Sequence, residues 1–152
     1  MTESKYIWMD GEFTPWNEAK VHVLSHTLHY GNGAIEGTKA YKTVDGRCAI
    51  FKLNEHTQRL LNSSKMTLMN VPFTLEELNK AQVELLQKNE LTNGAYIRPL
   101  VYLGYGVMGL YHKDAPVKVS ISAWEWGAYL GEEGLKKGCL LYTLTLPTKR
   151  IV

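Results

Sequence analysis

The sequence lacks the features that mark secreted, membrane-spanning and metal-binding proteins. Its two cysteines, Cys48 and Cys139, have no spacing typical of a metal site or a disulfide framework, which favours a reducing compartment. No apolar stretch approaches the ~18 residues that a membrane span needs, and the amino terminus contains no apolar signal core. We therefore expect a cytoplasmic protein with no membrane segment.

A large charge excess is also missing. The chain has 17 lysines and arginines against 15 aspartates and glutamates, which gives a formal net charge of +2. Its basic residues are scattered, and no basic run is longer than Lys136-Lys137. A nucleic-acid surface needs a basic patch, and an RNA-binding sheet that used exposed tyrosines would also need a recognisable module motif, which is missing here. We therefore expect no nucleic-acid partner.

What the sequence does contain is enough apolar surface for one domain. Hydrophobic residues make up 45% of the chain, which is ordinary for a globular protein, and the length suits a single domain. Residues 6–9 and 12–14 flank Asp10-Gly11, a pair that favours the type I′ turn of a β-hairpin. A second Asp-Gly pair separates predicted strands 38–44 and 47–51, and residues 17–21 suit one helical turn.

Two helices are predicted after these strands. Asn54 is a good N-cap for a first helix of about three turns. The second helix has a clearer start, because Thr74-x-x-Glu77 forms a capping box, and Asn93-Gly94 ends its pattern. In the first helix, four apolar side chains are available for burial: Leu53, Leu60, Leu61 and Met66.

The chain then returns to strands. Residues 95–103 alternate so that one face receives Tyr96, Arg98, Leu100 and Tyr102. Residues 117–123 alternate apolar side chains with lysine and serine, which is the pattern of a half-buried strand. Strands, then two helices, then strands predict an α+β fold, with the two helices packed on one side of a mainly antiparallel sheet.

A glycine-rich segment at residues 104–109 matches the dinucleotide-binding pattern G-x-G-x-x-G. That pattern binds phosphate only where a helix begins within a βαβ unit. Here Pro116 and a predicted strand follow within a few residues, which leaves no room for a crossover helix. We therefore predict a loop rather than a nicotinamide site.

Three histidines have helical spacing that would suit metal ligands: His22, His26 and His29. Gly31 and Gly33 interrupt any helix at this point, and no cysteine or second cluster of carboxylates lies nearby in the sequence. We therefore predict structural or loop histidines and no metal site.

The segment from residue 24 to residue 41 organises the rest of the sequence. Its glycines predict a sharply turned loop that delivers a strand and presents Tyr30, Ile35 and Glu36. The pattern Tyr30-Gly31-x-x-x-x-Glu36-Gly37, followed by a basic residue and an aromatic strand, resembles the amino-terminal signature of the branched-chain amino acid aminotransferases. These are fold-type IV enzymes that use pyridoxal 5′-phosphate.

The resemblance implies a cofactor-binding residue and two substrate-binding residues. His56-x-x-Arg59-Leu60 resembles the helix whose arginine holds the cofactor phosphate, and a guanidinium offers paired donors to phosphate oxygens. Tyr96-x-Arg98 resembles the strand whose tyrosine touches the substrate α-carboxylate and whose arginine binds the side-chain carboxylate of glutamate.

The resemblance also implies the walls of the substrate pocket. Residues 126–131 resemble the family's turn into its interdomain loop, so Trp126 and Tyr129 are expected to line the pocket. Ile35 replaces a phenylalanine common among the bacterial enzymes, and Gly37 completes the expected substrate-binding set. Two further positions reach into the neighbouring subunit's site in the family, which implies a homo-oligomer, a dimer or larger: Tyr30 and Leu110.

The resemblance covers residues 6 to about 138 and less than half of the family's usual length. We expect residues 1–131 to form the amino-terminal small domain, and residues 132–152 to begin the interdomain region and a tail unlike the family. In the family, the lysine that forms a Schiff base with the cofactor lies in the second domain, and Lys149 lacks the small residues that follow it. We therefore expect no catalytic lysine in this chain and no activity from it alone.

The leading hypothesis is the amino-terminal domain of an enzyme that transfers an amino group between leucine, isoleucine or valine and 2-oxoglutarate. The alternative within the fold is a D-amino acid aminotransferase or an aminodeoxychorismate lyase, but the Tyr-x-Arg strand and the turn at 126–131 favour the branched-chain group. The alternative of another class is a non-catalytic oligomerisation module that pairs through Tyr30 and Leu110.

Overall fold

The structure, a computed structural model, describes residues 2–126 of the chain. Three α-helices lie in this range: α1 (His26–Tyr30), α2 (Leu53–Met66) and α3 (Leu75–Lys88). One antiparallel sheet contains the strands β1 (Tyr6–Met9), β2 (Glu12–Pro15), β3 (Gly33–Ile35), β4 (Thr38–Lys42), β5 (Cys48–Ile50), β6 (Gly94–Leu103) and β7 (Val117–Trp124). The strand order is β2-β1-β7-β6-β4-β5, and β3 also pairs with β6. The predicted α+β class is confirmed.

Two local signals fold as the sequence predicts. Asp10 and Gly11 both adopt positive φ, 49° and 104°, as a type I′ turn requires, and they join β1 to β2 in register. At the start of α3, the Glu77 amide donates to the Thr74 hydroxyl at 3.2 Å, and the Thr74 amide donates to the Glu77 carboxylate at 2.7 Å. The capping box is therefore confirmed.

The predicted start of α2 was wrong. The helix begins at Leu53, and its N-cap is Lys52 in a left-handed conformation with φ 53°. Asn54 lies inside the first turn, where its side-chain oxygen accepts a hydrogen bond from the Asn79 amide at 2.6 Å and so links α2 to α3. Met66, predicted to be available for burial, is 84% exposed at the end of α2.

Several predicted boundaries also differ. β4 ends at Lys42 and β5 is only three residues long, because the Thr43 amide donates to the Arg47 carbonyl at 2.8 Å and closes a turn. The predicted helical turn at 17–21 is a 3₁₀ turn at Trp16–Glu18. Within the predicted loop before β3, the short helix α1 forms and ends at Gly31, whose φ is 72°.

α3 ends at Lys88, several residues before the predicted end, because the next residue caps it. The side-chain oxygen of Asn89 accepts hydrogen bonds from the amides of Lys5 and Tyr6 at 2.9 and 2.8 Å, and its side-chain amide donates to the Tyr6 carbonyl at 3.0 Å. Asn89 is nearly buried. One asparagine therefore ends a helix and fixes the first strand beside it.

α2 and α3 cover one face of the sheet, as predicted, and the core lies between them and that face. A fully buried leucine contributes about 1.5–3 kcal/mol through the water it excludes, so this layer holds the sheet against the helices. The buried side chains from the helices include Leu60, Leu78, Ala81 and Leu85, and those from the sheet include Ala40, Ile97, Val101, Val119, Ile121 and Ala123.

The opposite face of the sheet has no long helix on it in the described range. The glycine-rich segment 104–109 lies in the connection from β6 to β7 and leads into a strand, which agrees with the predicted loop. Among residues 2–126, no helix has the length and apolar character that a bilayer span requires. The strand residues that point away from α2 and α3 are therefore the ones available to a ligand or a partner.

Candidate functional site

The candidate site lies on the sheet face opposite the two long helices. Side chains of β6 alternate, so Ile97 points into the core while Tyr96 and Arg98 point to the open face. β7 pairs with β6 in register and places Trp124 opposite Tyr96 and Ser122 opposite Arg98. The middle of the open face is therefore polar and aromatic.

Tyr96 and Arg98 form a direct pair. The Arg98 guanidinium donates to the Tyr96 hydroxyl from Nη2 at 2.8 Å and from Nε at 3.2 Å. The same guanidinium lies 5.1 Å from the centroid of the Tyr96 ring, within the range of a cation–π contact. The predicted placement of a phenol and a guanidinium on one strand face is confirmed, and their contact fixes the position of the cation.

Two tryptophans stand beside this pair. The Tyr96 ring lies 5.2 Å from the Trp124 ring and 4.8 Å from the Trp126 ring, with the second contact edge to face. Such aromatic contacts restrict both rings. Trp126 was expected to wall a pocket, and it lies next to the Tyr96–Arg98 pair. Tyr129, the other expected wall residue, lies outside the described residues.

Gly37 lies next to Tyr96. Thr38 pairs with Ile97, so the residue before it lies level with Arg98 on the neighbouring strand. A Cβ atom built on Gly37 would overlap the Tyr96 hydroxyl and lie 3.0 Å from the ring carbon that bears it. A side chain at position 37 would therefore displace the phenol, and the glycine keeps this part of the face open.

Ile35 and Lys39 border the same face. Ile35 pairs with Leu100 and is 60% exposed, so it provides an apolar surface beside the strand that bears Arg98. Lys39 pairs with Tyr96, and its ammonium lies 5.7 Å from the Tyr41 ring. Together they place an apolar group and a second cation at the margin of the polar centre.

Arg59 lies on α2 and contacts Glu36. The two side chains form a double hydrogen bond, with Nε donating to Oε2 and Nη2 donating to Oε1, both at 2.6 Å. The Glu36 side chain is 6% exposed whereas that of Arg59 is 66% exposed. The guanidinium is thus held from a buried carboxylate while much of its surface faces solvent.

The Glu36 carboxylate has two more partners. Its Oε1 accepts the Gly37 amide at 2.8 Å and lies 3.3 Å from His56 Nδ1. Burial alone would raise the pKa of Glu36, but the hydrogen bonds from Arg59, Gly37 and His56 outweigh burial, so the pKa lies below its ordinary value. The hydrogen bond to Glu36 raises the pKa of Arg59. The pair is therefore ionised at neutral pH.

Tyr30 and Leu110 lie in a separate part of the surface. The Tyr30 hydroxyl accepts a hydrogen bond from the Gly109 amide at 2.9 Å, so the end of α1 contacts the loop that presents Leu110. Leu110 is 87% exposed and Tyr30 is 40% exposed. Within residues 2–126, neither makes a hydrogen bond or ring contact with Tyr96 or Arg98.

The three histidines of the predicted loop make separate contacts. His26 is buried and its Nε2 lies 2.8 Å from the Gly109 carbonyl. His22 stacks on Tyr105 at 4.2 Å, and His29 Nε2 lies 2.9 Å from the Val23 carbonyl. Across the described part of the chain, no group of three or more histidine, cysteine, aspartate or glutamate side chains is arranged to hold a metal ion.

Sequence reasoning missed two residues of this region. It identified Glu36 only as a residue presented by the loop and did not pair it with Arg59, because the two lie 23 positions apart on different elements. It also assigned no role to Trp124. The period-two alternation of β7 places Trp124 on the same face as Ser122, so that signal was sufficient to find it.

Comparison with known proteins identifies the relatives of this chain. The profile of a family described as Amino-transferase class IV matches residues 33–150. A branched-chain-amino-acid aminotransferase of Pseudomonas aeruginosa is 47% identical over 137 residues, which make up 90% of this chain and 44% of that protein. The chain thus spans less than half the length of this curated relative.

Two solved structures are similar over the same region. The branched-chain amino acid aminotransferase of Escherichia coli superposes with a TM-score of 0.80 at 42% identity, and the match covers 87% of this chain and 43% of that one. The enzyme of the archaeon Thermoproteus uzoniensis, a branched-chain aminotransferase solved with norvaline, has a TM-score of 0.79 at 38% identity, and the match covers 84% of this chain and 42% of that one.

A third solved structure contains a derivative of the cofactor. It is a branched-chain amino acid aminotransferase complexed with N-(5′-phosphopyridoxyl)-L-glutamate, from the source abbreviated T.th.. Its TM-score is 0.79 at 44% identity, and the match covers 85% of this chain and 42% of that one. These similarities place the chain with the amino-terminal part of such proteins.

Proposed function

Because the chain belongs to the class IV aminotransferases, we propose that it forms the amino-terminal domain of a branched-chain amino acid aminotransferase. The reaction would exchange an amino group between leucine, isoleucine or valine and 2-oxoglutarate. The observation that supports this most directly is the Tyr96–Arg98 pair, which holds a cation on the open sheet face between aromatic rings and an apolar margin. Such a surface suits both a carboxylate and a branched apolar side chain.

Arg98 and Tyr96 are proposed to bind the carboxylates of the substrates. A guanidinium pairs with a carboxylate through two parallel hydrogen bonds, and the contact with Tyr96 sets its direction in advance. Glutamate has a side-chain carboxylate for Arg98, whereas leucine has none. Ile35 and Trp126 supply the apolar surface that would accept the leucine side chain, and Tyr129 is proposed as a further wall.

Arg59 is proposed to bind the phosphate of pyridoxal 5′-phosphate. Its guanidinium is largely exposed, and its Nη1 donates no hydrogen bond to any residue in the described range, so donors are available for phosphate oxygens. When bound, this cofactor supplies an electron sink for the negative charge that develops on the substrate α-carbon. A solved relative in complex with a phosphopyridoxyl derivative of glutamate supports this assignment.

Each residue would have a separate task in the reaction. Arg98 would orient the acidic substrate and exclude the wrong end of it, while Ile35 and the aromatic rings would exclude water from its apolar part. Gly37 would leave room for the substrate next to the Tyr96 hydroxyl, because any side chain there would occupy that space. None of these side chains moves the proton of the α-carbon; their role is binding and orientation.

We further propose that a second copy of the chain covers the surface around Tyr30 and Leu110. Seven large apolar side chains near α1 and the β6–β7 connection are exposed: Val23, Leu28, Tyr30, Tyr105, Met108, Leu110 and Tyr111. Exposed apolar patches of this kind mark interaction sites. Cys48 makes no disulfide with any described residue, which supports a reducing compartment such as the cytoplasm.

The test is a transamination assay on the complete product of the gene that encodes this chain. L-leucine, L-isoleucine, L-valine and D-alanine are offered as amino donors with 2-oxoglutarate as acceptor and pyridoxal 5′-phosphate present. We expect turnover with the three branched L-amino acids and none with D-alanine. Turnover with D-alanine alone, or no glutamate formed from any donor, would contradict the proposal.

A further inference from the structure

We propose that Glu36 is a positioning residue, whose buried carboxylate holds Arg59 ready for a phosphate and at the same time fixes the Gly37 bend beneath Tyr96. The inference rests on the proposed function only in taking Arg59 as the phosphate ligand. It assigns to Glu36 a role that concerns both halves of the candidate site.

The geometry of the Arg59–Glu36 contact determines which donors remain for a ligand. The carboxylate takes the side edge of the guanidinium, through Nε and one N–H of Nη2, at 2.6 Å each. A guanidinium has five N–H donors in a fixed plane, so occupying this edge leaves the two N–H groups of Nη1 directed away from Glu36. His56 Nδ1 lies 3.4 Å from Nη2 and flanks the same occupied side.

The burial of the two partners differs in a way that favours positioning. Glu36 is 6% exposed, and its Oε1 is also tied to the Gly37 amide at 2.8 Å. It therefore cannot follow the arginine into solvent. Arg59, 66% exposed, has a long side chain that would otherwise sample many rotamers. Fixing it before the ligand arrives removes an entropic cost from binding.

The same carboxylate oxygen connects the cofactor side to the substrate side. Oε1 receives both Nη2 of Arg59 and the amide of Gly37. Gly37 in turn lies against the Tyr96 hydroxyl, which accepts the hydrogen bonds of Arg98. A shift of the carboxylate therefore alters the phosphate donor and the bend that makes room for the tyrosine together.

A competing physical role has the opposite sign. A carboxylate close to an anion site repels the anion and competes for the arginine donors, so removing its charge would tighten phosphate binding. Positioning predicts that removing it weakens phosphate binding. The isosteric variant Glu36→Gln separates the two, because it keeps the shape of the side chain and removes the charge.

The probe is inorganic phosphate, titrated into this chain while the side-chain Nε–Hε signal of Arg59 is followed by NMR. We expect Glu36→Gln to weaken phosphate binding by about 10-fold relative to wild type, the loss typical of one charge-assisted contact. Glu55→Gln is the matched control, because Glu55 lies on the same helix, is exposed and pairs with Lys52 at 2.8 Å. Its removal should leave phosphate affinity within about twofold of wild type.

The outcomes distinguish the two proposals. If wild type binds phosphate no more tightly than Arg59→Ala, the proposed role of Arg59 fails. If Arg59→Ala loses binding but Glu36→Gln binds as tightly as Glu55→Gln, or more tightly, Arg59 keeps its role and the positioning role of Glu36 is overturned.

A second measurement needs no variant and covers the case in which Glu36→Gln does not fold. In wild type, the Nε–Hε proton of Arg59 should exchange with water several-fold more slowly than that of Arg47, since both donate to a carboxylate but only Glu36 is buried. Equal exchange rates would show that Glu36 does not hold the guanidinium, which would overturn the inference.

Discussion

The hydroxyl group of Tyr96 occupies the space in which a side chain on residue 37 would begin. A Cβ atom built on Gly37 would overlap this oxygen and approach its ring carbon to 3.0 Å. The φ angle of Gly37 is not in the left-handed range, so the requirement for glycine comes from this contact and not from backbone conformation. The pair links the bend before β4 to the strand that bears Arg98.

Gly37→Ala should therefore destabilise the chain by about 1–3 kcal/mol, the usual cost of overpacking, and move the Tyr96 ring against its tryptophan neighbours. Near-ultraviolet circular dichroism and urea unfolding measure the two effects. Adding Tyr96→Phe removes the clashing oxygen, so the double variant should recover part of the loss. Losses that simply add in the double variant would show that the two positions are independent.

Arg98→Gln should raise the KM for 2-oxoglutarate in the complete gene product by about 10- to 100-fold, because a carboxylate loses a charge-assisted pair of hydrogen bonds. The KM for leucine, which has no side-chain carboxylate, should change far less. Arg47→Gln is the control, since Arg47 is 82% exposed at the β4–β5 turn and pairs only with Asp45 among described residues. Equal effects on both substrates would assign Arg98 to the shared α-carboxylate instead.

The pH dependence of stability should report Glu36. Its pKa in the folded chain lies below the ordinary value of 4.5, since the hydrogen bonds from Arg59, Gly37 and His56 outweigh the effect of burial. A carboxyl with a lowered pKa adds stability above its unfolded pKa and loses that contribution as the pH falls through the folded pKa. The unfolding free energies of wild type and Glu36→Gln should therefore differ most above about pH 5 and converge in acid.

Urea unfolding between neutral and acidic pH measures this difference. Glu55→Gln serves as the comparison, because its ion pair with Lys52 is exposed and contributes little in water. A constant gap between wild type and Glu36→Gln down to strongly acidic pH would refute the prediction, since it would show that the charge of Glu36 is not the stabilising feature.

Leu85→Ala should cost about 2–5 kcal/mol, because it empties a fully buried site between α3 and the sheet. Val83→Ala, two positions away on the same helix and 39% exposed, should cost only about 0.5 kcal/mol. Chemical unfolding followed by circular dichroism compares them. Similar losses at both positions would mean that α3 does not pack on the sheet as described.

Sequence reasoning succeeded where a short segment determines its own structure. Asp10-Gly11 adopts positive φ at both positions, and Thr74 with Glu77 forms the reciprocal cap that their spacing predicts. The alternation of β6 placed Tyr96 and Arg98 on one face without knowledge of the other strands. In each case the information lies within a few residues.

It failed where a distant partner decides. Asn54 is a good N-cap by its chemistry, yet its side chain is used by Asn79, so Lys52 begins the helix instead. The partnership of Arg59 with Glu36 depends on how α2 packs beneath the bend before β4, which no local pattern encodes. The role of a functional arginine was therefore easier to predict than the group that holds it.

The pairing of β1 with β7 has a consequence for how the chain is made. The Asp10 side chain accepts a hydrogen bond from the Val119 amide, 109 positions later, and β1 joins the sheet only through β7. At ribosomal rates of about 5–20 residues per second, the first hairpin waits on the order of ten seconds for its neighbour to be synthesised. Nascent β1 has an unpaired edge throughout that interval, so chaperones that bind exposed strands would encounter the amino terminus of this protein first.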